Sequence, residues 1–159
     1  KYTEWINDLD ISLKLGNAHQ IYTLQKEKNF LEEVSENSFA IVLKENDKLI
    51  GNCGLIDIEH VNRKAELGIF IGDKNYWNKG YGTEAIKLLL DYGFNLLNLH
   101  NIMLEVFAFN KRAISCYKKI GFKEIGRRRE AREIAGKKYD EVFMDILSTE
   151  FTEGNISVE

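Results

Sequence analysis

Between Ala65 and Ala108 the chain reads as strand, glycine turn, long helix, strand, and no other stretch narrows the possible folds as far. Ala65 to Ile71 is a largely apolar run of strand length, and Asn101 to Ala108, NIMLEVFA, is a second. The helix predicted between them, Thr83 to Leu97, places Ile86, Leu89, Leu90, Gly93 and Leu97 on one stripe. Ala85, Leu88, Tyr92 and Leu96 widen the stripe so far that a largely buried, central helix is expected. Two strands joined through such a helix become parallel neighbours by a right-handed crossover.

The other elements read as antiparallel. Ser38 to Glu45 and Lys48 to Glu59 flank the turn-forming pair Asn46 and Asp47, and a second turn, His60 to Arg63, leads into Ala65. Lys123 to Glu133 and Lys138 to Thr149 form a long terminal hairpin about the AGKK turn. Helices are predicted at Lys1 to Asn7, at Thr23 to Glu36 with Leu24, Phe30, Leu31 and Val34 as its apolar side, and at Lys111 to Ile120. Asn110 is a good N-cap for the last of these, and Gly121 stands at its C-terminal stop. The sum is an α/β (α+β) fold, a central mixed and mainly antiparallel sheet flanked by helices. A single domain over 1–151 and an unordered tail over 152–159 are expected.

A chain of 159 residues is long enough for one core and short for two. No apolar run approaches the roughly 20 residues of a membrane span, so no membrane partner is expected. A net charge of -3 argues against a general nucleic-acid binder. Cys53 and Cys116 are too few for a disulfide scaffold and are read as small buried hydrophobes of a cytoplasmic protein. His19, His60 and His100 show no metal-ligand spacing, and no metal is expected.

NYWNKGYGTEA, Asn75 to Ala85, sets Gly80 and Gly82 one residue apart just before the central helix. Glycines there let a phosphate approach backbone N–H groups at the positive end of a helix dipole. Their other reading is a tight strand-to-helix turn. GxxxxGK[ST] is absent, and GxGxxG lacks its third glycine because Ala85 stands there.

WNKGYG, Trp77 to Gly82, resembles the pyrophosphate loop Q/R-x-x-G-x-G/A of the GNAT-superfamily N-acetyltransferases. NKRAISCYKKIGF, Asn110 to Phe122, resembles that family's second signature: an Asn opening a helix, a Tyr further along it, then Gly-Phe. The resemblance runs from about Ser38 to Phe151, and the wording is most like the spermidine or diamine and ribosomal-protein alanine acetyltransferase subset. Trp77 departs from the family's Gln or Arg, which puts a side-chain contact there in doubt but not the backbone contacts. The family's first strand, just before its first helix, has no counterpart, which implies a trimmed chain or an upstream segment that supplies it.

The resemblance implies an acetyl-CoA-dependent N-acetyltransferase, cytoplasmic, acting on a primary amine by direct transfer in a ternary complex. The amine would be a polyamine, an amino acid or a protein N-terminus. Asn78, Lys79, Gly80, Tyr81, Gly82 and Thr83 would hold coenzyme A's pyrophosphate, the backbone of Ile69, Phe70 and Ile71 its pantetheine arm, and Asn110 the arm or the splayed strand end. Gly68 is compatible with a bulge in that strand or with close packing. Tyr117 is the implied general acid, although Ala113, Ile114 and Tyr117 share a helix face and a core tyrosine is the plain alternative. A phenol near 10 giving its proton to a thiolate near 8.5 works uphill by about 2 kcal/mol. Glu66 and Glu105 compete for the general base; each is equally readable as a solvated strand residue. Cys53 and Cys116 lack the adjacent His of a thiolate nucleophile. GRRREAR, Gly126 to Arg132, is the wet face of a strand or an anchor for the 3′-phosphate. Asp8 to His19, as a loop, and about Glu133 to Glu141 would wall the amine pocket, with Asp8, Asp10, Asp140 and Glu141 available to a cation. The rival is a non-catalytic module that binds coenzyme A as a sensor, and family habit implies a homodimer.

Overall fold

The computed structural model describes residues 1–154. Three helices open the chain: α1 (Tyr2–Ile6), α2 (Leu9–Leu15) and α3 (Leu24–Glu33). Strands β1 (Ser38–Val42), β2 (Leu49–Glu59) and β3 (Lys64–Ile71) follow, then α4 (Tyr81–Asp91), β4 (Asn101–Phe107), α5 (Lys111–Ile120), β5 (Lys123–Ile134) and β6 (Lys137–Leu147). The sheet order is β1-β2-β3-β4-β6-β5. The β3 and β4 pair is parallel, joined through α4 as the strand-helix-strand pattern requires. The β1–β2, β4–β6 and β5–β6 pairs are antiparallel.

Cα packing gathers the chain into two compact units, Lys1–Ile56 with Gly68–Ile86, and Asp57–Leu67 with Lys87–Glu159. The first buries Ile6, Ile11, Leu43, Ile50, Cys53 and Leu55. Within it the rings of Tyr2, Trp5 and Phe70 meet edge-on, with centroids 5.8 to 6.4 Å apart. The β1–β2 turn falls on the expected pair: Asp47 takes φ 54° and Lys48 N–H donates to Asn46 Oδ1 at 3.1 Å.

In the second unit the two faces of the sheet divide by the period of two. Ile102, Leu104 and Val106 of β4 and Val142, Met144 and Ile146 of β6 are each at most 7% exposed and form its core. Leu89, Leu90, Phe94 and Leu99 are buried in the same unit. The intervening residues Met103, Glu105, Phe107, Glu141 and Phe143 stand on the opposite face.

Four local expectations are corrected. Asp8 to His19 is not an open loop, because Asp8 caps Asp10 N–H and Gly16 in a left-handed conformation closes α2 between them. The apolar side read for α3 turns inward only in part: Glu27, at its centre, is 3% exposed, Leu31 and Val34 beside it are half-buried, and Leu24 and Phe30 at its margins stay 64% and 51% exposed. Along the central helix Leu88 and Leu96 lie on the solvent side, since a single stripe suffices to cover the core, and the last turn widens to a π-turn, Tyr92–Leu96. Cys116, on amphipathic α5, is half-buried and not a core residue. Of the tail at 152–159, the last five residues lie outside the described ones; Glu153 pairs with Lys87.

Candidate active site

In the first unit, β3 ends at Ile71 and the chain turns through Lys74–Tyr76 into the glycine stretch. Asn78 and Gly80 take φ of 59° and 88°, the left-handed region, so Gly80 is required by the turn itself. A Cβ at Gly80 meets nothing within 4 Å, and one at Gly82 meets only Ile71 Cγ1 at 3.8 Å. Protein packing therefore does not account for glycine at position 82. The Glu84 amide bonds back to Gly80 O at 3.0 Å. No backbone bond among the described residues is donated by Asn78, Lys79, Gly80, Tyr81 or Gly82. Five successive donors with two left-handed residues at the start of an eleven-residue helix make a concavity with the geometry that suits an anion.

Its charged surroundings are mostly committed. Lys48 pairs with Asp73 at 2.9 Å, and Lys74 pairs with Asp8 at 2.8 Å and Asp10 at 2.6 Å. Asp8 and Asp10, read as holders of a cation, are thus taken up by Lys74. Lys79 has no ion pair among the described residues and lies 5.5 Å from the Tyr76 ring centre. Trp77 Nε1–H donates to the carbonyl of Ile71 at 2.7 Å, so of the strand segment Ile69, Phe70 and Ile71 the last carbonyl is already occupied. Gly68 has open space where a Cβ would stand, which removes close packing as its reason.

The second unit holds the other candidates, Glu66, Glu105, Asn110 and Tyr117. The pairing of Glu66 with Met103, and the two-residue steps from Met103 to Glu105 and from Phe143 to Glu141, put Glu66, Glu105 and Glu141 on one sheet face. Burial raises the Glu66 carboxyl above its ordinary value, and Glu105, Asp57 and Glu141 add to the shift. Glu105 is raised first by loss of hydration and then by Glu141, against the opposing charge of Arg128. Phe107 stacks on Phe109 at 5.6 Å, Tyr139 closes on Phe109 at 4.9 Å, and the Arg132 guanidinium lies 5.7 Å over Phe107.

Asn110 Oδ1 accepts from Ala113 N–H at 3.4 Å, the N-cap role. Seven residues on, Tyr117 rests against Phe122 at 5.8 Å, half-buried, and its hydroxyl has no hydrogen-bond partner among the described residues. Burial pushes its phenol up to about 12. Donation to a thiolate then runs uphill by about 5 kcal/mol, more than an unperturbed phenol requires. The Cys53 thiol is pushed to about 11 by burial, which disqualifies it as a thiolate carrier of the acyl group.

Sequence reasoning did not join Glu141 and Asp57 to the two glutamates. Alternation of Glu105 with Phe107 and of Glu141 with Phe143 was the available signal, but only the strand register turns it into one face. The GRRREAR segment lies on β5, the sheet-edge strand, where Arg127 pairs with Glu124 at 2.5 Å; such charge protects an edge from pairing with another chain.

Residues 2–123 match the family described as the Acetyltransferase (GNAT) domain. An uncharacterized N-acetyltransferase, p20, of Bacillus licheniformis is 35% identical over 75% of this chain and 66% of its own length. The spermidine N(1)-acetyltransferase of Escherichia coli K12 is 35% identical over 76% of this chain and 63% of its own. The chain therefore spans less than two thirds of either relative. The crystal structure of spermidine N-acetyltransferase from Vibrio cholerae in complex with CoA and spermine superposes with a TM-score of 0.84 at 28% identity, covering 94% of this chain and 89% of that one. With the amide concavity before α4, the parallel β3–α4–β4 unit and the Asn110-capped helix carrying Tyr117, these likenesses make the chain a member of the GNAT acetyltransferase family.

Proposed function

We propose that the chain is an acetyl-CoA-dependent N-acetyltransferase that transfers acetyl directly to a primary amine, with polyamines as the first substrates to try. The observation that carries this reading is the run of five unpaired amides from Asn78 to Gly82, which fits a pyrophosphate without displacing any protein bond. The named activities of the spermidine-acetylating relatives support the amine. Bound acetyl-CoA supplies a thioester-activated acetyl group. Asn78 to Thr83 hold its pyrophosphate, the backbone of Ile69 and Phe70 aligns its arm, and Asn110 supports it. One of Glu66 and Glu105 takes the amine's proton, and Tyr117 keeps a proton at Oη for the departing sulfur. The buried Cys53 thiol supports direct transfer, and two unbridged cysteines suit the reducing cytoplasm in which we place the reaction.

Calorimetric titration with acetyl-CoA, followed by thiol release with spermidine, tests the proposal. One-site binding with spermidine-dependent release is expected. Binding without release from any amine would reduce the chain to a coenzyme A-binding module.

A further inference from the structure

We infer that Glu141 is the positioning residue for Glu105: the two carboxyl groups act as a pair that takes the amine's proton and holds it between them. This rests on the N-acetyltransferase reading and decides between its two candidate bases.

The register supplies the geometry. Glu105 stands opposite Phe143 on β6, and Glu141, two residues before Phe143, points to the same face on the diagonal. Two long side chains can span that diagonal, and Glu141 is, after loss of hydration, what opposes ionisation of Glu105. A second carboxylate so placed makes Glu105 the stronger base. The other charges facing Glu105 are Arg128 on β5, directly opposite Glu141, and Glu66 on β3, itself faced by Asp57 of β2. Arg132 lies further along, over Phe107. Arg128 opposes the rise at Glu105 without cancelling it. Glu66 is raised by burial and, through space, by Glu105, Asp57 and Glu141.

An N–H bond of the ammonium breaks and an O–H bond forms at Glu105; the electron pair stays on nitrogen, which becomes the nucleophile. The proton bridges to Glu141 and leaves to solvent after turnover. A base whose strength is raised toward the working pH is the more effective one.

Two measurements on the purified chain test this. The first follows carboxyl ¹³C shifts of labelled glutamate against pH without substrate. Glu105 is expected to titrate in two linked steps in the wild type and in one step at lower pH in Glu141→Gln. The second records kcat/KM for spermidine against pH. Its acidic limb is expected to move down by at least half a unit in Glu141→Gln and up in Arg128→Gln, an exposed edge-strand change that serves if Glu141→Gln does not fold. Single-step titration of Glu105 in both proteins, or an acidic limb unmoved by either substitution, overturns the inference. Linked titration in a protein that binds acetyl-CoA but acetylates no amine instead overturns the functional reading, and the catalytic role of the pair with it.

Discussion

The indole Nε1 of Trp77 donates a 2.7 Å hydrogen bond to the carbonyl oxygen of Ile71, tying the entry of the glycine turn to the end of β3. The family pattern has Gln or Arg at this position, so the chain spends it on holding the loop. The Lys14 ammonium lies 4.8 Å over the same ring. Trp77→Phe keeps most of the apolar area but leaves a part-buried carbonyl without its donor, which costs about 1–3 kcal/mol. Thermal unfolding is expected to fall by about 2–10 °C, and calorimetry to show weaker acetyl-CoA binding because the amides beyond Trp77 are no longer fixed. Unchanged affinity would mean that the loop holds its shape without the indole.

The two glycines separate strain from ligand approach. Gly80→Ala pays for a φ of 88° with about 1–2 kcal/mol and loses affinity as well, so its effect is mixed. Gly82→Ala adds a methyl that meets only Ile71 Cγ1 at 3.8 Å and improves helix propensity by roughly 1 kcal/mol. The expected outcome is an equal or higher Tm together with at least tenfold weaker acetyl-CoA binding. Full affinity in Gly82→Ala would show that no phosphate comes near that backbone.

Much of the fold was legible because its signals are local and agree with one another. Asn110 and Gly121 bound α5 as read, since a side-chain cap and a left-handed C-terminal residue act over a single turn. The terminal hairpin and the parallel β3–β4 pair followed from turn residues and apolar runs in the same way. What failed depends on distant packing. Leu24 and Phe30 look like part of the inner face of α3, but that face is buried only about Glu27, Leu31 and Val34, and Leu24 and Phe30 stay exposed at its margins. Of the site, the amide concavity and the Asn110–Tyr117 helix were readable from spacing. The shared face of Glu105 and Glu141 was not, because a register joins residues far apart in the chain.

Tyr117→Phe isolates the hydroxyl, since that group bonds to nothing among the described residues and the ring contact with Phe122 survives. Tm is expected to stay level or rise, while kcat falls by about 100-fold or more if the phenol is the proton donor. With its value raised to about 12, the phenol remains protonated throughout the usual assay range, so any basic limb of the rate profile below about pH 10 belongs to another group. The linkage has a definite sign. A folded-state value above the unfolded one, near 10, leaves stability intact below about pH 10 and erodes it as pH rises toward 12. Alkaline unfolding midpoints should therefore lie higher for Tyr117→Phe than for the wild type between those limits.

Glu27 tests the inward side of α3. It is 3% exposed, its Oε2 has no hydrogen-bond partner, and burial raises its carboxyl above the ordinary range. The charged form is therefore disfavoured in the fold. Above the folded-state value the whole penalty is present; below the unfolded value, about 4.3, both states are protonated and it vanishes. Glu27→Gln removes the charge at nearly constant shape. It should raise Tm at pH 8 by several degrees, with a difference from the wild type that shrinks steadily as pH falls toward 4. The Tyr2 hydroxyl, which feels the Glu27 charge, provides an internal check: its own upward shift should be smaller in the variant, read from the ultraviolet titration of phenolate. A Glu27→Gln protein less stable than the wild type at pH 8 would mean that the carboxylate is held by partners stronger than its burial penalty, and that α3 is seated for a reason other than tolerance of one misplaced charge.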